Sequence, residues 1–484
     1  MRATGSGNSK TQQPWLQLSF VLGEAVLSLI ANGVLYVIIS RASGSELLGA
    51  YALATAWLAL FQGVSSFGVP EFIMREVGAH GRSAAPQVVH SMAIGLASGG
   101  AALLLMLGVV RVMGYPPDIA RSISVGSLAL LPAFLSTACR SVFLARREMH
   151  LTLLALGTEV SILMTSSLAL LLSGHGATAL MTSFVVAKIA SAVVSMALLF
   201  RTILGARPSL DPKLLARTAK IVFSFGVGNM LGMLTMRISV IMASAWVGIA
   251  AVGHLAAATK VMEVGLIAPN LFVQLLMTRI AYSFSAHGER DPNRFAAWYQ
   301  ILFALMTPAC VGGFIFAQLI LETLFGSGFG EARWILRVLM IYLLIESGDA
   351  VMSVILKAAN KQEEDMSRFA FNPVVNILLN FALLPLLGTL GAALSRVGGA
   401  VASTTLRHIL VSERLARIEW LRLLWKPAAI SIGAGAACAA AFDVDRSFLA
   451  LTLYVLLSML LTALLSGFSI HAVKDMVSVP PSRD

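Results

Sequence analysis

The chain has 484 residues, of which 57% are hydrophobic and 12% charged; its mean hydropathy is +0.83 and its formal net charge +11. Soluble domains carry about a quarter charged residues, so this composition excludes a soluble globular fold and points to an integral membrane protein. A membrane barrel would alternate apolar and polar residues along each strand; the runs here are apolar throughout, so spanning helices of about 20 residues are expected. The basic residues sit in loops on one side of the expected membrane, which argues against a nucleic-acid partner.

Residues 1–14, MRATGSGNSKTQQP, read as a disordered cytoplasmic N-terminus. Fourteen apolar runs then follow as candidate spans. Six cover 15–40, 46–74, 86–113, 119–145, 151–173 and 176–201. Six more cover 219–246, 249–278, 295–321, 332–356, 367–387 and 391–412, and a last pair covers 424–441 and 447–471. Residues 476–484 form a tail. Loops after the odd-numbered spans hold only Arg41, Arg111, Arg121, Arg333, Arg337 and Arg446, whereas Lys and Arg crowd the termini and the loops after the even-numbered spans. The basic side is the cytoplasmic one, so both termini are expected there. No connecting loop is long enough to form a soluble domain. Cys139, Cys310 and Cys438 lie singly in apolar runs and suggest neither a disulfide framework nor a metal site.

The chain also repeats itself. A shift of 204 residues carries Ser40, Gly44, Gly49, Ala52, Ala54, Thr55 and Arg75 onto Ser244, Gly248, Gly253, Ala256, Ala258, Thr259 and Arg279. A shift of 215 carries Gly176-Ala177 onto Gly391-Ala392. The expected organisation is all-α: an N-terminal six-helix lobe over 15–205, a C-terminal one over 206–420, and an extra helix pair over 421–475. Six is an even number, so the two lobes enter the membrane from the same side and form parallel repeats around a central cavity.

An ionisable side chain inside a span is a functional hypothesis by default. Those read from the sequence are Glu24, Glu159, Lys188, Arg237, Lys260, Glu263, Glu346, Asp349 and Arg396. Arg237 precedes Gly248 by eleven residues and Lys260 follows it by twelve, so both lie roughly 15–18 Å from that turn along their helices. Two cations at one depth suit a phosphate or diphosphate, gripped by the Arg fork and the Lys point charge. The competing structural reading pairs Lys260 with Glu263 at i+3. Lys188 and Arg396 stand on the sixth and twelfth spans and suit a cavity lining; the structural alternative for them is an ion pair with Glu159 or another acid. Glu346 and Asp349 share a helix face, where two close carboxylates resist joint ionisation. They are the first candidates for coupling to H⁺ or Na⁺, with Glu263, Glu24 and Glu159 behind them. The bland alternative for that pair is an ion pair with Arg237, Lys188 or Arg396. No other cofactor is expected, and no catalytic constellation of an enzyme is apparent.

The run YVIISRASGSELLGAYALATAWLALFQGVSSFGVPEFIMREVGA, with Gly44, Gly49, Tyr51 and Arg75-Glu76, resembles the opening of bacterial polysaccharide-biosynthesis flippases. These belong to the multidrug/oligosaccharidyl-lipid/polysaccharide exporter superfamily. LFGSGFGEARWILRVLMIYLL and LLPLLGTLGAAL resemble later connections of the same family. The resemblance implies a two-lobed fold and export of an undecaprenyl-diphosphate-linked oligosaccharide across the inner membrane, alongside polysaccharide polymerase and export partners. It also implies a cationic cavity and a cation gradient. Many relatives carry an acid in the seventh helix near the position of Ser239; its absence here shifts the expected coupling role to Glu346 and Asp349. The rival functions are a multidrug/cation antiporter of the same superfamily and a scaffold subunit of a polysaccharide synthase complex.

Overall fold

The computed structural model describes residues 14–202, 212–274, 276–277, 292–415 and 419–465. The expected lobe boundary at 205/206, residues 1–13 and the tail 476–484 lie outside the described residues. All the regular structure among the described residues is helical. The first half contains α1 (Pro14–Ser66), α2 (Val69–His80), α3 (Ala85–Val112), α4 (Pro117–Ser127), α5 (Leu130–Ala145), α6 (Met149–Leu172) and α7 (Ala177–Thr202). The second half contains α8 (Pro212–Trp246), α9 (Ile249–Gly265), α10 (Pro292–Ile315), α11 (Ala317–Phe325), α12 (Arg333–Ala358), α13 (Gln362–Phe369), α14 (Phe371–Leu387) and α15 (Thr389–Arg414). The extra pair is α16 (Trp420–Ala441) and α17 (Phe448–Leu465).

Among the described residues ten helices are long and apolar enough to cross a membrane, and two shorter apolar stretches are Gly232–Trp246 of α8 and Phe448–Leu464 of α17. The expected count of fourteen is not reached by that measure. Gly44 interrupts α1 between the first two expected spans, which count there as one, and α15 carries Arg396 and Arg407 within its run. Large apolar side chains such as Leu104, Leu105, Val112, Leu172, Leu386 and Leu464 point outward from the helices. Such a surface is stable against lipid, where helices satisfy their own backbone hydrogen bonds.

The 204-residue repeat has a structural counterpart at its turn. Gly44 (φ 77°, ψ −165°) breaks α1, and Gly248 (φ 108°, ψ 168°) starts α9. Both are in a region that glycine alone enters without strain. Around them the two hairpins cross almost in backbone contact. A Cβ on Gly49 would stand 1.9 Å from the Ile249 carbonyl oxygen, and one on Gly253 would stand 2.0 Å from the Ser45 carbonyl oxygen. The repeat exchanges these two contacts, since 45 maps to 249 and 49 to 253. One hydrophobic core continues from Leu35, Tyr51 and Met181 in the first half to Val240, Leu255 and Leu336 in the second.

A smaller cluster of Phe316, Leu319, Ala434, Cys438, Ala450 and Tyr454 attaches the extra pair to α10 and α11. Gly95 and Gly99 of α3 admit the Phe134 ring and the Ser65 hydroxyl, which would lie 1.8 and 2.7 Å from added Cβ atoms. The three cysteines are buried and free.

Candidate functional site: a charged cavity on one side of the hairpin crossing

A cavity of about 610 Å³ lies on one side of this crossing, walled by α1, α5, α6 and α7 and by one face of α8 and α9. Glu24, Glu159, Lys188, Arg237, Lys260 and Glu263 all line it. A seventh charge, Arg140 of α5, was not singled out in the sequence, although it sits inside an apolar run where it could have been. The remaining wall is rich in hydroxyl and amide groups, including Ser28, Asn32, Gln62, Ser136, Thr137 and Ser191.

The charges form three groups along the cavity. Glu24 accepts from Arg140 Nε at 2.8 Å, with the Arg side chain 46% exposed. Lys188 Nζ donates to Glu159 Oε1 at 2.6 Å and stands over the Phe184 ring. The third group lies closest to the crossing. Lys260 Nζ donates to Glu263 Oε2 at 2.6 Å, Arg237 Nη1 is 3.6 Å from Glu263 Oε1, and Lys260 sits 4.6 Å over the Tyr36 ring of α1. The i+3 spacing on α9 brings Lys260 and Glu263 together, and the matched depth of α8 and α9 brings Arg237 to the same carboxylate. One acid thus serves two cations. Over the whole cavity four cations face three carboxylates, so the lining has a positive excess.

Arg396 is placed differently from expectation. It is 1% exposed and does not line the cavity. Its Nη2 donates to the carbonyl of Met236 at 3.1 Å, and its guanidinium stands over the Tyr342 ring. Glu346 and Asp349 also lie off the cavity wall. The partner of Asp349 is none of the three cations considered from sequence; it is Arg407 of α15, whose Nε lies 2.8 Å from Asp365 Oδ1. Ser353 Oγ donates to Asp365 Oδ2 at 2.8 Å. Asp349, Asp365 and Arg407 are each no more than 5% exposed. Arg407 lies eleven residues beyond Arg396, about three helical turns and so on one face of α15, a spacing that was open to reading.

Ser239, where many relatives are expected to carry an acid, belongs to a neutral buried cluster. Its hydroxyl donates to Asn376 Oδ1 at 3.2 Å and accepts from Asn380 Nδ2 at 3.1 Å. Asn380 Nδ2 also donates to Asn376 Oδ1 at 2.8 Å. No group of three or more metal-ligating side chains occurs among the described residues.

The family profile described as polysaccharide biosynthesis protein matches residues 19–282, more than half of the chain and all of the helices that wall the cavity. The chain belongs to the polysaccharide biosynthesis protein family. Its fold is that of the multidrug/oligosaccharidyl-lipid/polysaccharide exporters. A structure of the lipid II flippase MurJ in an inward closed conformation superposes with a TM-score of 0.77 at 13% identity, covering 93% of this chain and 98% of that one. An inward-facing multidrug resistance MATE transporter gives 0.65 at 16% identity, with 79% and 93% covered. A transporter of the same superfamily from Pyrococcus furiosus, described as having a binding pocket of reverse polarity, gives 0.57 at 16% identity, with 82% and 94% covered. No curated protein matches the sequence. The protein is therefore a multi-pass membrane member of a polysaccharide-synthesis family with the fold of flippases and transporters.

Proposed function

We propose that the protein is a flippase for an undecaprenyl-diphosphate-linked oligosaccharide, moving a surface-polysaccharide repeat unit across the bacterial inner membrane by alternating access. It is a transporter in this reading, not an enzyme, and the basic loops put both termini in the cytoplasm. The observation that carries it is the pairing of two chemistries in one cavity. Arg237 and Lys260 converge on a single carboxylate and offer a diphosphate site, while Ser28, Asn32, Gln62, Ser136, Thr137 and Ser191 offer donors and acceptors to a glycan. Lys188 extends the cationic lining beside the glycan wall. Arg396 contributes from behind the wall. The alternative of a cation antiporter fits less well, because Glu24, Glu159 and Glu263 each already hold a resident cation.

Coupling to H⁺ or Na⁺ is assigned to the buried acids Glu346 and Asp349. With Asp365 they outnumber Arg407, and such an imbalance favours uptake of a proton or a cation. The experiment is replacement of Arg237 and Lys260 by Ala in a strain whose surface glycan depends on this gene. Glycan export should fall at least tenfold at unchanged protein level. Export at the normal rate would remove these residues from the diphosphate site.

A further inference from the structure

The cation pair next to the crossing is already occupied, by the protein's own Glu263. Its carboxylate holds Lys260 at 2.6 Å and Arg237 at 3.6 Å, so a substrate anion has to compete with it. A carboxylate set free in this setting needs another cation, because an unpaired buried charge is strongly unfavourable.

The structure supplies one. Arg396 is fixed through Nη2 to the carbonyl of Met236, the residue before Arg237. Its Nη1 is buried and has no hydrogen-bond partner among the described residues, and Glu263, Glu346 and Arg237 are among the charges that act on it. Arg237 Nε is likewise without a partner among them.

We propose that Glu263 is a displaceable counter-ion: a substrate diphosphate takes Lys260 and Arg237, and Glu263 turns to the free Nη1 of Arg396. Arg396 is a positioning residue in this scheme, since it acts through Glu263 and does not touch substrate. No bond is made or broken; the carboxylate changes cationic partners. The scheme rests on the flippase reading and deepens it by saying how the site tells a diphosphate linkage from a monophosphate one. Arg237 and Lys260 share the one carboxylate of Glu263, and once it leaves them they hold two positive charges. A diphosphate linking a lipid to a sugar carries two negative charges and neutralises the cluster. A monophosphate linkage carries one, so it displaces Glu263 less readily. The site should therefore discriminate diphosphate-linked from monophosphate-linked lipids.

The test measures binding of an undecaprenyl-diphosphate-linked monosaccharide, an undecaprenyl-monophosphate-linked monosaccharide and inorganic pyrophosphate to the full-length protein in lipid nanodiscs. Wild type is expected to bind the diphosphate lipid at least tenfold more tightly than the monophosphate lipid. Pyrophosphate alone should compete with it, locating the recognition in the phosphates. Glu263→Gln removes the competitor, so affinity for the monophosphate lipid should rise about tenfold and the discrimination should shrink. Arg396→Gln removes the second partner, so diphosphate affinity should fall about tenfold; in the Glu263→Gln background the same change should have little effect. That non-additivity is a readout that a merely structural Arg396 would not give.

If Glu263→Gln folds poorly, Glu263→Asp keeps the charge but shortens the reach to Lys260, and should shift discrimination the same way by less. Unchanged discrimination in both variants, or additive losses in the double variant, overturns the displacement scheme while leaving the flippase reading intact. Failure of wild type to bind either lipid overturns both.

Discussion

Arg396 and Arg407 show how differently two arginines on one helix face are used. Arg407 is held by two carboxylates, Asp349 and Asp365, and closes a contact among α12, α13 and α15. Removing the cation from such a cluster leaves two buried acids unpaired, which costs about 3–5 kcal/mol. Arg407→Ala should therefore lower the unfolding temperature sharply, and Asp365→Asn introduced alongside it should recover part of the loss. Lys188 and Glu159 keep 20% and 15% of their side chains exposed within the cavity, where solvent screens the pair. Lys188→Ala should cost no more than about 1 kcal/mol, and its effect should appear in transport instead of in thermal unfolding. Equal destabilisation by the two substitutions would contradict this division.

Six of the seven charges on the cavity wall stood out in the sequence, because a lone Lys, Arg or Glu is conspicuous in an apolar run; Arg140 did not. The sequence showed the Lys260–Glu263 pair because that contact is local on one helix. It did not show that Asp349 pairs with Arg407, or Glu24 with Arg140, because those partners meet through helix packing that no spacing along the chain encodes.

At the scale of elements, the glycine pattern was the most legible feature. Gly44 and Gly248 were recognisable as equivalent turns because the surrounding residues repeat, and both adopt the positive φ that the repeat requires. The number of spans was less legible. α15 is amphiphilic because it must hold Arg396 and Arg407 toward protein neighbours, and a hydropathy measure penalises it for that.

The extra helix pair was the least certain part of the sequence reading, and its attachment explains how a short Gly- and Ala-rich segment can be held. Gly435 of α16 approaches Ile315, with the side-chain Cδ1 2.2 Å from where a Cβ would stand. Tyr454 of α17 donates its hydroxyl to the carbonyl of Pro308, inside α10, at 2.9 Å. Tyr454 is 1% exposed, so this buried bond matters to the docking of the pair. Tyr454→Phe should destabilise the protein by about 1 kcal/mol. Gly435→Leu should cost more, because the new side chain and that of Ile315 compete for one space. Limited proteolysis between α15 and α16 would report loosening of the pair ahead of global unfolding.

At the scale of the whole molecule, the hairpin crossing and the cavity make one argument. Ser45, Gly49, Ile249 and Gly253 form a contact that the 204-residue repeat maps onto itself, as two copies of one surface meet across a twofold axis. That contact shuts the space between the two halves on the side of the Gly44 and Gly248 turns, while the cavity extends from Lys260 and Arg237 toward Arg140 and Glu24. Alternating access requires the crossing to part when the cavity opens the other way. The crossing tolerates no added Cβ, because the obstacle at both sites is a backbone carbonyl and not a flexible side chain. Gly49→Ala and Gly253→Ala each introduce one such clash, and the double variant introduces both. Each single change should slow glycan export, and the double variant should abolish it while still reaching the membrane in normal amount. The same double variant should expose a cysteine placed at Ala52, which is 4% exposed here, to a membrane-impermeant thiol reagent applied from outside the cell. Normal export together with a protected cysteine would mean that the two halves meet differently during transport.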